Sequence, residues 1–294
     1  MNLISVENLS KAYGEKIIFD NLTFGIDDTD KIGVIGVNGT GKSTLLKIIA
    51  GEEEADSGNV ITMNGLRVGY LPQSPVFKKG EVVMDYMIRI CKITNADEES
   101  KAKTVLTKIG INDFYADVDT LSGGQKKRVA IGAAMISPVD LLILDEPING
   151  LDPMGIVEIR ELLKKINKEK DMTILISSHI LSELSELATT YGIISNGKLI
   201  EEITAKQLSE KCRQYIDLKV DDTARAVILL ERELGISDYE VLEDSNIKVF
   251  SNLDNVGEVN SLLSRSGIIV ESISVKGENL EEYFMNKVGG VLNA

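Results

Sequence analysis

Gly36-Val37-Asn38-Gly39-Thr40-Gly41-Lys42-Ser43 meets the pattern G-x-x-x-x-G-K-[ST] at every fixed position. Four fixed positions recur by chance, and a glycine-rich turn carrying an incidental lysine would also meet them. The surroundings decide. Lys31 to Ile35 reads as a short buried strand, and Lys42 to Ala50 as an apolar helix, so the glycines lie where a strand passes into a helix. Glycines there let successive main-chain N–H groups turn inward around a polyphosphate. The helix aims its positive dipole end at the same anion. Lys42 is placed to reach the terminal phosphates, and the Ser43 hydroxyl to ligate Mg²⁺.

Outward from this cradle, Val139 to Leu144 reads as a second buried strand, ending in Asp145-Glu146. A parallel sheet presents ligands at the carboxyl ends of its strands. Asp145 is therefore expected to hold Mg²⁺, and Glu146 to polarise the attacking water as general base. Alone, two acids after a strand suit an ordinary solvated turn equally well; the cradle upstream favours chemistry. Thr173 to Ser177 is a third buried strand, followed by His179, the one histidine in the chain. Strands are also expected over residues 2–30 and 58–71, and helices over 81–109, Gly123–Ile136, Pro153–Asn167 and Leu181–Ala188. Helices alternating with short apolar strands imply a mainly parallel α/β sheet.

After about residue 204 the pattern changes. Tyr215–Val220, Thr223–Leu234, Tyr239–Leu242, Ile247–Phe250, Val256–Arg265 and Ile268–Ser274 follow in the order β-α-β-β-α-β, with a last helix over Leu280–Lys287. That order predicts a small split βαβ domain over 215–294, joined through a linker at 204–214 to a first domain over 1–204. Its acids Asp221, Asp222 and Glu231 are read as a solvated face, and the domain as a regulatory or docking module.

Composition narrows the setting. A hydrophobic share of 43% with 27% charged residues is that of a globular protein able to bury a core without metals or disulfides. A net charge of −14 argues against coating nucleic acid, so no direct nucleic-acid partner is expected. Cys91 and Cys212 form no C-x-x-C pair, so a reducing compartment is the default. The start shows no basic segment followed by a long apolar run, so no secretory leader is expected. No stretch approaches the roughly 20 apolar residues that cross a bilayer. Any membrane role would pass through another chain.

Leu121-Ser122-Gly123-Gly124-Gln125, lying between cradle and carboxylates, makes a resemblance explicit: residues 2–203 resemble an ABC ATPase. Ser122 also suits a plain helix N-cap. The resemblance implies the family's fold, a P-loop NTPase cassette with a β-rich subdomain, a parallel-sheet core and a helical subdomain, here followed by the small α+β domain. It implies ATP with Mg²⁺, held by Gly36, Asn38, Gly39, Thr40, Gly41, Lys42, Ser43 and Thr44, with adenine stacked on Tyr13. Gln73, in Tyr70-Leu71-Pro72-Gln73, resembles the glutamine that senses Mg²⁺ and couples to partners, which implies a third metal-binding residue beside Ser43 and Asp145. His179 resembles the switch histidine that meets the γ-phosphate, and Asp152, in Gly150-Leu151-Asp152, the aspartate at the dimer seam. In the family Ser122, Gly123, Gly124 and Gln125 cover the nucleotide of the other protomer, which implies a homodimer with two composite sites.

Two further likenesses meet in this chain. From about residue 140 onward it resembles the ATPase subunits of bacitracin and lantibiotic exporters, through Asp145-Glu146-Pro147-Ile148-Asn149-Gly150-Leu151-Asp152-Pro153-Met154-Gly155 and Leu175–Leu184. Before that it is similar to the first cassette of ABC-F translation factors, through Gly33–Gly41, Leu66–Gln73 and Leu121–Ala130. ABC-F proteins carry two cassettes and a long helical arm; here there is one cassette, and little sequence separates Gln73 from Ser122. The exporter likeness implies an ATPase subunit working with a separate transmembrane permease, peripheral on the cytoplasmic face of the membrane. The alternative is a soluble ribosome-associated ATPase.

Overall fold

The computed structural model describes residues 1–28, 30–136, 138–170, 172–242 and 246–289; the side chains of residues 169, 170, 182, 183 and 289 lie outside that description. Two compact units emerge, Met1–Ala205 with residues 287–289, and Lys206–Asn286.

In the first unit, long β-alternating runs build β1 (Asn2–Tyr13), β2 (Lys16–Asp27) and, after the core's first elements, an outer strand. Those elements are β3 (Lys31–Ile35) and α1 (Lys42–Ile49), and the outer strand is β4 (Ser57–Thr62). β2-β1-β4 form an antiparallel sheet. Then come β5 (Val68–Leu71), α2 (Val83–Cys91), α3 (Ala96–Lys108), α4 (Gly123–Ala134), β6 (Leu141–Asp145), α5 (Pro153–Lys170), β7 (Thr173–Ser178), α6 (Leu181–Ser185), β8 (Thr190–Ser195) and β9 (Lys198–Thr204). The second sheet has the order β5-β6-β7-β3-β8-β9, parallel throughout except for β9, which returns beside β8. Every residue of β6 and β7 is buried, as expected of parallel strands covered on both faces. Leu45, Leu46, Ile48 and Ile49 of α1 pack on Leu141, Ile143 and Leu175 from one face. The fold is the α/β architecture expected, a β-rich layer beside a parallel sheet with the helices α2 and α3 set between β5 and α4 in the chain.

The hairpin β8–β9 is not among the elements read from sequence. Its turn is Asn196-Gly197, both at positive φ, which matches the right-handed twist of the strands it joins.

The second unit begins where a linker is expected, and there the structure differs. Residues 204–214 carry α7 (Ala205–Lys211), with Leu208 buried. β10 (Tyr215–Val220), α8 (Thr223–Leu234), β11 (Tyr239–Val241), β12 (Asn246–Val249), α9 (Val256–Arg265), β13 (Val270–Lys276) and α10 (Leu280–Gly289) as far as Asn286 complete it. The sheet order is β11-β12-β10-β13, antiparallel throughout, over a core of Ile216, Leu218, Leu230, Ile247, Val249 and Leu263. Asp221, Asp222 and Glu231 are exposed, but they do more than face water. Asp221 accepts the Ile269 N–H at 2.9 Å, Asp222 caps α8 through the Arg225 N–H at 3.0 Å, and Glu231 accepts the Tyr239 hydroxyl at 2.7 Å. The last expected stretch, 290–294, lies outside the described residues.

Candidate functional site

The sheet order brings the predicted residues together. β5, β6, β7 and β3 are neighbours, and their carboxyl ends lead respectively to Gln73, Asp145-Glu146, His179 and the glycine cradle. The cleft they border has a volume of about 250 Å³ and is lined by Ile18, Asn38, Gly39, Gly41, Lys42, Ser43, Thr44, Gln73 and Glu146.

The cradle is shaped by its glycines. Gly41 stands at φ 96° as the N-cap of α1, with no side chain capping the helix, so the first amides of α1 are left for another acceptor. A β-carbon at Gly36 would sit 2.6 Å from the Thr40 hydroxyl and 2.8 Å from the Ile194 carbonyl. Lys42 is folded back: its ammonium donates to the carbonyl of Gly36 at 2.8 Å and of Val37 at 3.3 Å, and lies 3.6 Å from Glu146 Oε1. Burial lowers its pKa, opposed by the Glu146 and Asp145 carboxylates.

Glu146 is the hub. It holds a left-handed backbone, φ 45°, which for a residue with a β-carbon is strained. Its N–H donates to the Ser177 hydroxyl at 3.0 Å. Oε1 faces Lys42 and His179 Nδ1, the latter at 3.3 Å. Oε2 accepts from Gln73 Nε2 at 3.1 Å and Asn149 Nδ2 at 2.7 Å. Asp145 Oδ1 accepts from the hydroxyls of Ser43, at 3.0 Å, and Ser177, at 2.8 Å. Two hard oxygens thus stand 3.0 Å apart, the Ser43 hydroxyl at the cleft and the buried Asp145 carboxylate behind it. That donor set fits Mg²⁺, which takes few protein ligands and completes its shell with water and phosphate oxygens.

Other expected residues stand apart from this cluster. The Tyr13 hydroxyl bonds Glu53, which raises the phenol's pKa against the Thr44 hydroxyl, and the residue is half exposed. Ser122 and Gln125 satisfy each other in a capping box at the start of α4. The Ser122 hydroxyl accepts the Gln125 N–H at 3.2 Å, and Gln125 Oε1 accepts the Ser122 N–H at 2.9 Å. Gly124 abuts α5, where an added β-carbon would lie 3.5 Å from Gly155 Cα. Asp152 caps α5 through the Gly155 N–H at 2.8 Å. None of Ser122, Gly123, Gly124, Gln125 or Asp152 lines the cleft of this copy.

Residues 19–149 match the family model described as ABC transporter. The bacitracin transport ATP-binding protein BcrA of Bacillus licheniformis is 35% identical over 98% of each chain. The lantibiotic transport ATP-binding protein SrtF of Streptococcus pyogenes is 38% identical over 68% of this chain and 90% of its own. Among solved structures, an ATP-binding cassette of an ABC transporter in its ADP conformation superposes with a TM-score of 0.64 at 25% identity, over 72% of this chain and 94% of that one. The chain belongs to the ABC transporter ATP-binding family. It is a nucleotide-binding ATPase.

Three residues of this ABC ATPase's cluster are missing from the candidate list drawn from sequence: Ser177, Asn149 and Lys127. Ser177 joins Asp145 to the Glu146 main chain, and Asn149 holds Glu146 Oε2. Lys127, buried in α4, donates to the Gln73 carbonyl. A lysine at an otherwise buried helical position, three residues after Gly124, is the one signal that could have marked the last.

Proposed function

We propose that this ABC ATPase powers, through a separate membrane permease, the export of an antimicrobial peptide of the bacitracin or lantibiotic kind. The observation that carries this reading is the 35% identity to a bacitracin transport ATP-binding protein over 98% of both chains, a span that takes in the second unit as well as the cassette. ABC-F likeness alone would account for the first half and leave the second without a counterpart. Among the described residues no helix is long and apolar enough to cross a membrane, so the chain would attach to the membrane's cytoplasmic side through its permease.

In the proposed cycle the triphosphate takes the amides of the cradle and draws the Lys42 ammonium from the Gly36 and Val37 carbonyls. Mg²⁺, held by Ser43 and Asp145, would neutralise charge on the phosphates. Glu146 Oε1, relieved of Lys42, is free to take a proton from the attacking water, while Gln73 and Asn149 keep Oε2 in place. His179, beside the same carboxylate, is positioned to meet the terminal phosphate. Ser122, Gly123, Gly124, Gln125 and Asp152 act on the nucleotide of a second copy in a homodimer, and Tyr13 stacks on adenine.

Cells carrying the chain with its permease should tolerate such a peptide, and Lys42→Ala should abolish that tolerance. Tolerance that survives Lys42→Ala removes the export reading.

A further inference from the structure

Lys127 is only 9% exposed, an uncommon place for an ammonium. Its acceptors are main-chain carbonyls: Nζ donates to Gln73 O at 2.6 Å and to Glu146 O at 3.4 Å. Asp145 and Glu146 act on it through space, opposing the lowering of its pKa by burial. The side chains of Gln73 and Glu146 are themselves joined, at 3.1 Å. One cation therefore grips the main chain at both ends of the hydrogen bond that orients the Glu146 carboxylate.

Gln73 lies in the loop after β5, Glu146 follows β6, and Lys127 stands on α4, so three separate pieces of chain meet at this ammonium. Lys127 comes three residues after Gly124 and so shares its helix face, one turn from the end that bears Ser122 and Gly123. Movement or ordering of that helix end is carried by a rigid helix to the Lys127 stem. A methionine would fill the same space while leaving the Gln73 carbonyl without this donor. Glu146 O would keep the Asn149 N–H, at 3.2 Å.

We propose that Lys127 is a positioning residue for hydrolysis, transmitting the state of the α4 helix end to the stance of Gln73 and Glu146. The proposal rests on the reading of Glu146 as general base. It requires the variant to bind ATP and to lose rate, because the ammonium is engaged by the Gln73 and Glu146 carbonyls and Lys127 does not line the cradle cleft.

The test measures kcat, ATP KM and denaturation midpoint in the full chain for Lys127→Met, Lys127→Arg and Glu146→Gln. A displaced base costs rate steeply, so Lys127→Met should lower kcat by about 10- to 100-fold with KM within about threefold, and Lys127→Arg, which keeps a donor, should recover most of it. Unchanged kcat in folded Lys127→Met, or kcat and KM worsening together, overturns the proposal. If Lys127→Met fails to fold, Lys127→Gln is judged by the same two criteria. A Glu146→Gln chain that hydrolyses normally overturns the base assignment instead, which keeps the two failures apart.

Discussion

Gly41 shows how tightly one position can be specified. At φ 96°, a β-carbon there would lie 2.3 Å from Ile18 Cγ2 and 2.8 Å from the Phe19 ring. Gly14, at φ 60°, has nothing within 4 Å of the same imagined atom. Gly14→Ala should therefore cost about 1 kcal/mol, the backbone penalty alone. Gly41→Ala adds overpacking of about 1–3 kcal/mol, and should also lose nucleotide binding. Denaturant midpoints and nucleotide titration of the two variants check the contrast; equal losses would contradict it. At this scale much of the site was legible, because Lys42, Ser43, Asp145, Glu146 and His179 sit at fixed places after apolar strands. Ser177, Asn149 and Lys127 were not. The partners of Ser177 and Lys127 are assembled by strand order and by a helix from elsewhere in the chain, which no local spacing encodes; Asn149 reaches Glu146 only three residues away, but through the shape of the turn after β6.

The elements were readable where periodicity was strong. β6 and β7 are unbroken apolar runs ended by polar groups, and α8 shows a clear apolar stripe closed by Gly235 at positive φ. The hairpin β8–β9 went unread although Asn196-Gly197 is a strong turn signal, because Glu201 and Glu202 break the alternation expected of a strand. Residues 204–214 read as a linker because α7 is short, and a single buried Leu208 gives too little pattern. The edge strand β5 is anchored at its start by charge. Arg67 binds Asp140 with both its guanidinium and its N–H, and this holds the Asp140 carboxyl down at about 2, below its ordinary 3.8. A depressed carboxylate pKa adds stability that is fully present above the unfolded value and is lost as pH falls through the folded one. Arg67→Met should thus destabilise only modestly at neutral pH, since the pair is partly exposed. The difference from the parent should shrink between about pH 4 and pH 2. Urea midpoints across that range check it; a gap that stays constant assigns the loss to packing instead.

For the whole molecule, one cradle and one capped α4 end per chain do not meet in a single copy, and the proposed cycle needs two. Glu146→Gln should keep ATP binding and slow hydrolysis at least ~100-fold, about 2.7 kcal/mol of barrier. It should also accumulate as a dimer when Mg-ATP is present. Size-exclusion chromatography with and without nucleotide reads the second effect, and a variant that stays monomeric with ATP bound counts against the composite site.

The capping box of Ser122 and Gln125 bears on life between cycles. Within one copy the box satisfies the N–H groups of Ser122 and Gln125, so those two amides need no second chain. In the proposed homodimer these two amides would give no drive toward pairing, which would be left to the nucleotide held between the copies. On that reading, loss of the γ-phosphate would return each helix end to its own serine, and the pair would separate with those amides still satisfied.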